Sequence, residues 1–168
     1  MLEKKMEDAL NQQINAEIWS RILYLSMSYD MDDKGYEGMA AWFYAQAVEE
    51  FEHATRFVEY IKARGGKVRL MPIDGVKQEW DSPKAAFEDT LQHEIVVTGK
   101  IHQLMDMAIE LKDYATQNML RWFIDEQVEE EDTARKIVEK LKRIEHIPAA
   151  IYALDKRLGE RKKIKQLC

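Results

Sequence analysis

Cysteine is almost absent from this chain: of 168 residues the only one is Cys168, the last. A lone cysteine forms no internal disulfide, and without a Cys-x-x-Cys pair there is no thiolate cage for zinc or rubredoxin-type iron. Proline and glycine are scarce too, at three and seven residues, which disfavours a turn-rich sheet protein and favours long helices. Cations are not in surplus. The 25 Lys and Arg stand against 31 Asp and Glu, a formal charge of −6. That sign is wrong for neutralising nucleic-acid phosphates and right for attracting cations. Nowhere do apolar residues run together for the roughly 18 positions a membrane helix needs, so no span is expected. Met1 to Asp8 contains acids and no apolar segment, so no signal peptide is expected and the expected location is the cytoplasm.

What the chain does contain is helical period. It is 46% hydrophobic and 33% charged, and its length suits one domain spanning 1–168. Met6, Leu10, Ile14, Ile18, Ile22 and Leu25 recur at helical spacing, which predicts a helix over about 2–31. Around Trp19 and Leu23 its apolar residues cover more than one stripe, so an outer side against another subunit is expected. Turn chemistry at Asp32 to Tyr36 ends it, and a second helix is expected over about 37–64, stopped by Gly65-Gly66. Residues of about 65–82 lack helical period and read as an extended crossover. Ser82-Pro83 is an N-cap followed by proline at the first helical position, opening a third helix over about 83–111. A fourth is expected over about 114–144 and a short fifth over about 149–158, before a solvated basic tail at Arg161 to Lys165.

Four such helices would each be about 42 to 46 Å long. Short turns make the first and second antiparallel, and likewise the third and fourth. A crossover of roughly 17 residues reaches about 55 Å, enough to return along the whole bundle. The expected fold is therefore all-α, a four-helix bundle with one long crossover between its second and third helices.

The chemistry sits at mid-height. Glu50 and His53, one helical turn apart on one face, form a half-site for a divalent metal. Glu-x-x-His is common by chance, and Glu49, Glu50 and Glu52 also fit a solvated face. Height favours the metal reading, while azimuth leaves the solvated face open. Glu17 falls about 22 Å up the first helix, Glu50 about 20 Å down the second, Glu94 about 17 Å down the third, and Gln127 to Glu130 about 20 to 25 Å up the fourth. Apolar neighbours flank each: Ile14 and Ile18, Ala47 and Phe51, Leu91 and Ile95, Phe123 and Val128. Buried carboxylates need a counter-charge. Arg21, His53 and Arg121 supply too little of it, so a bound cation is implied. Oxygen ligands with one imidazole suit iron or manganese, with zinc able to compete. Glu50 could bridge two ions. His93, His102 and His146 show no partner set and read as ordinary surface or core histidines.

The motifs Asn15-Ala16-Glu17, Tyr24-Leu25-Ser26-Met27, Glu49-Glu50-Phe51-Glu52-His53-Ala54, His93-Glu94 and Glu126-Gln127-Val128-Glu129-Glu130-Glu131, at these spacings, resemble the non-haem ferritins of the prokaryotic type over nearly the full length. That resemblance implies a ferritin-like bundle and a ferroxidase centre. Glu17, Glu50 and His53 would hold a first iron, with Glu50 bridging to a second bound also by Glu94 and Glu130. Gln127 matches a second-site amide, and Tyr24 a tyrosine that supplies an electron or hydrogen bond to oxygen species. Glu49, Glu126, Glu129 and Glu130 match a third iron site. The implied function is iron storage: iron(II) oxidised by dioxygen or hydrogen peroxide and kept as mineral in a shell of 24 subunits.

Two relatives fit less well. Bacterioferritins carry a second Glu-x-x-His where this chain has Gln127-x-x-Glu130, and no haem-ligating methionine is evident, so no haem is expected. Rubrerythrins need a cysteine-ligated iron domain. Gln117 and Leu120 stand where animal ferritins place acids along their three-fold channel, which puts that iron route in doubt here. Two other readings start from the same residues. One is a di-iron oxidase or peroxidase without storage; the other is a non-catalytic helical scaffold with solvated acids.

Overall fold

The computed structural model describes residues 2–160; the basic stretch Arg161 to Lys165 and Cys168 lie outside the described residues. Five α-helices and no strand occur among those described: α1 Lys4–Asp33, α2 Glu37–Ala63, α3 Pro83–Glu110, α4 Tyr114–Ile144 and α5 Pro148–Gly159.

The local chemistry at the helix ends explains the breaks. Ser82 accepts a hydrogen bond from the Ala85 amide at 3.2 Å, with Pro83 opening α3. Asp113 caps α4 through the Thr116 amide at 3.1 Å. At the other ends, α1, α2 and α3 close in the same way. The second residue past the cap bonds back to the third-last carbonyl: Tyr36 to Met31, Gly66 to Ile61 and Asp113 to Ala108, each at 2.9 Å. This closure needs a left-handed residue just before it. Gly35 (φ 81°) and Gly65 (φ 72°) supply it without strain, whereas Lys112 takes φ 53° despite its Cβ.

The crossover is pinned to α1 near both of its ends. Lys67 N donates to Glu7 at 3.0 Å and Arg69 N to Asn11 at 2.6 Å; further on, Ser26 donates to the Lys77 carbonyl at 2.7 Å and Trp80 N to Asp30 at 3.2 Å. From Glu7 to Asp30 is a rise of about 34 Å on a helix. The 67–80 segment covers it nearly extended, which delivers α3 to the top of the bundle, parallel to α2.

The core is split in two. An upper cluster contains Tyr24, Met27, Met31, Met39, Trp42, Phe43 and Phe87. A lower one contains Met6, Leu10, Ile14, Phe57, Ile61, Ile101, Leu120 and Phe123. The polar residues lie between them. At the top, α5 lies against the start of α2: Gly38 leaves no room for a Cβ beside the Asp155 carbonyl. The Asp155 carboxylate accepts from the Met39 amide at 2.8 Å, capping α2 from a different helix.

One expectation about the surface changes. Leu23 is 6% exposed and Trp19 packs beside it against the upper core, so these two do not form a free outer surface. Leu120 is fully buried in the lower core, and Gln117 donates to the Ala108 carbonyl at 3.1 Å. The exposed apolar residues lie elsewhere, among them Phe51, Ile95, Val96 and Val128.

Candidate metal centre

Glu17 on α1 and Glu50 and His53 on α2 converge between the two apolar clusters. One ligand atom from each lies within 4.8 Å of the others, and all three residues are buried. The His53 Nδ1 stands 4.0 Å from Glu17 Oε2 and 3.8 Å from Glu50 Oε2. Those gaps exceed a hydrogen bond but suit ligands facing one ion. Gln13 donates to Glu17 Oε1 at 2.8 Å, while no amide or hydroxyl reaches the buried Glu17 Oε2. An orphaned buried carboxylate oxygen is costly unless a cation meets it.

The titration behaviour fits this geometry. Burial pushes the Glu17 carboxyl up to about 7. Burial, then the charges of Glu94 and Glu17, hold Glu50 well above the usual carboxylate range. Burial lowers His53 to about 4, helped by nearby Arg56, so its imidazole is neutral at pH 7 and free to ligate. The rings of Trp122 and Phe123 stand edge-on to it at 5.5 and 5.8 Å.

The groups from α3 and α4 are held differently. Glu94 accepts from the Tyr24 hydroxyl through one oxygen and from Gln127 Nε2 at 3.1 Å through the other. Glu130 accepts from Gln46 Nε2 at 2.9 Å. All are buried, and Glu94 and Glu130 lie close enough for their charges to raise Glu50 and Tyr24. Beside them, Glu49 and Glu126 are half-buried and Glu129 is exposed. Burial and then the Glu129 charge raise Glu126. The structure thus gathers Glu17, Glu50, His53, Glu94, Gln127 and Glu130 in one buried layer, with Glu126 and Glu129 beside each other on α4 and Glu49 on α2.

Several expectations need correction. Phe51, Ile95 and Val128 do not wall the layer; they are 50%, 45% and 69% exposed. Each follows a site residue directly, and one step turns a helical side chain about 100° away from the interior. Arg21 does not offset the acids but lies over the Phe51 ring, 4.4 Å from its centroid, and Arg121 is exposed. His93 does have partners. Its Nε2 lies 2.8 Å from Ser20 Oγ, and its ring meets those of Trp19 and Tyr24 at 5.4 and 5.9 Å. Ser20 Oγ also lies 3.0 Å from the Ala16 carbonyl, so the hydroxyl links His93 to the α1 backbone. Sequence reasoning also missed Gln13, Gln46 and Thr98, which hydrogen-bond to members of the layer. A signal existed: Gln13 and Gln46 each stand four residues before a site glutamate, one turn away on the same face.

A bundle of two antiparallel helix pairs joined by a long parallel crossover, with acids and an imidazole buried at mid-height, defines the class of ferritin-like carboxylate proteins. A family model described as a ferritin-like domain matches residues 7–144, and the chain belongs to the ferritin family. It is 43% identical over 161 residues to a bacterial non-heme ferritin of Bacteroides fragilis, across 96% of this chain and all of that one. A bacterial non-heme ferritin of Staphylococcus saprophyticus is 39% identical, with 96% of each covered. Among solved structures, an open pore ferritin from Archaeoglobus fulgidus superposes with a TM-score of 0.96 at 46% identity, covering 96% of this chain and all of that one. The function that accompanies this membership is iron storage.

Proposed function

We propose that the chain is a ferroxidase: it oxidises iron(II) at a paired site and stores iron(III) as mineral inside a cytoplasmic shell of 24 copies. Glu17, Glu50 and His53 take the first iron(II). Glu50 bridges to a second, held by Glu94 and Glu130 with Gln127 beside them. The observation that carries this reading is the buried Glu17–Glu50–His53 group, in which two carboxyls meet and no amide or hydroxyl reaches Glu17 Oε2. A solvated scaffold face would have no reason to bury these carboxylates, each below a tenth exposed.

The residues then act as follows. Iron(II) displaces the protons that burial keeps on Glu17 and Glu50, and their anionic oxygens favour the ferric state once electrons leave. Each iron gives one electron, and dioxygen or hydrogen peroxide accepts the pair. Tyr24 donates to Glu94 at the edge of the layer, and turning that hydroxyl from Glu94 to the oxygen species would supply it with a hydrogen bond. Glu49, Glu126 and Glu129 with Glu130 form a third site that takes iron onward. No haem takes part.

The test is Glu50→Ala in stopped-flow absorbance. Fast iron(II) oxidation should fall by roughly a hundredfold or more, beyond what supporting residues cost, with the helical circular dichroism kept. An unchanged initial rate would refute the assignment. Size-exclusion chromatography separates storage from a di-iron oxidase without it, since a monomer or dimer could not enclose mineral.

A further inference from the structure

One turn below the carboxylate layer a cleft of about 290 Å³ opens to solvent between α1 and α3. Ala9 and Ala16 form part of its α1 wall, seven residues apart and so on one azimuth. Their methyl groups leave a gap that larger side chains would fill. Lys100 and Met107 face them from α3 with the same spacing. Gln13 also lines the cleft; it is 4% exposed and donates to Glu17 Oε1. A side chain of the cleft therefore touches the buried carboxylate whose other oxygen no amide or hydroxyl reaches.

The charge around the cleft is as informative as its shape. No carboxylate lines it, and its one ionised group is Lys100, whose charge reaches Glu17. The acids Glu49, Glu126 and Glu129 all belong to α2 and α4. Iron(II) is repelled by Lys100 and drawn to the α2–α4 side, while a neutral molecule is indifferent to both.

We propose that the α1–α3 cleft is the entry for the neutral oxidant, dioxygen or hydrogen peroxide, and that Gln13 is its inner gate. The proposal rests on the paired-iron reading above. The cleft far exceeds the space a water-sized molecule needs. Rotation of the Gln13 side chain, giving up one hydrogen bond, opens the way to Glu17. At the paired site each iron(II) loses one electron. Dioxygen takes both with two protons and leaves as hydrogen peroxide, or hydrogen peroxide takes both with two protons and leaves as two waters.

The test uses the assembled protein carrying Ala9→Leu together with Ala16→Leu, which fill the cleft. Anaerobic titration should give iron(II) binding equal to the parent. The apparent KM for the oxidant should rise at least threefold, with the maximal rate regained at saturating oxidant. A rise for only one of the two oxidants assigns the cleft to that one; an unchanged KM for both overturns the proposal. Should the double variant fold poorly, Gln103→Trp at the exposed rim is judged by the same measures. Lys100→Glu guards against the opposite assignment: several-fold faster anaerobic iron(II) binding would make the cleft the cation route and end the idea. Failure of the parent to bind iron(II) would instead sink the paired-iron reading.

Discussion

The two sides of the buried carboxylate layer are held in opposite ways. On the α1–α2 side, the His53 Nδ1 stands near 4 Å from both Glu17 and Glu50, the two carboxyls hydrogen-bond to each other, and no amide or hydroxyl reaches Glu17 Oε2. On the α3–α4 side, Glu94 is satisfied by Tyr24 and Gln127, and Glu130 by Gln46. On the first side no amide or hydroxyl reaches that oxygen; the second side already has its hydrogen bonds. Filling an unsatisfied pocket relieves a cost, whereas filling a satisfied one must first break bonds each worth about 1 kcal/mol. The first iron is therefore expected to bind the α1–α2 side more tightly than the second binds the other.

The sharpest way to break this comparison is Glu17→Gln, which keeps the shape and removes the charge. The first equivalent of iron(II) should bind roughly tenfold to a hundredfold more weakly in anaerobic titration. Equal loss at both equivalents would show that the sides are not distinct. Acidity is the next lever. With its folded pKa raised to about 7, Glu17 holds a proton below that pH, and iron(II) must expel it. Binding should weaken as pH falls from 7 toward 5, by up to about tenfold per unit for one linked proton. Calorimetry in buffers of differing ionisation heat should find more protons released per iron at pH 6 than at pH 8.

Tyr24→Phe probes the satisfied side. Without the hydroxyl on Glu94, the second equivalent should shift by about threefold to tenfold, the worth of one buried hydrogen bond, while the first stays put. The smallest effect belongs to Glu129→Ala at the exposed edge. It should alter how many irons are oxidised per subunit more than the initial rate, and an identical stoichiometry in oxidation titrations would remove the third-site claim.

The bundle was legible in the sequence because its cues are local. Apolar spacing marked the four long helices, and Ser82-Pro83 and Gly65-Gly66 marked where two of them start and stop. The absence of period before Ser82 marked the crossover. The buried acids were legible through height alone, since residue number converts directly to distance along a helix. Azimuth was harder. Phe51, Ile95 and Val128 are apolar and adjoin site residues, yet one residue's rotation carries each to the surface. Helix ends also hid one exception: nothing in Lys112-Asp113 announces that a lysine will take the left-handed turn that glycine takes at positions 35 and 65.

By itself, the sequence determined the helices, their order and the levels at which Glu17, Glu50, His53, Glu94 and Glu130 occur, because backbone stereochemistry sets the rise per residue whatever surrounds it. Only the tertiary structure decided which of these acids would be satisfied by an amide or hydroxyl and which oxygen would be left over. Hydrogen-bond partners come from neighbouring turns and other helices, as Gln13 does for Glu17, Tyr24 for Glu94 and Gln46 for Glu130. Their pairing depends on how closely and at what rotation the helices pack, which no single helix carries in its own residues.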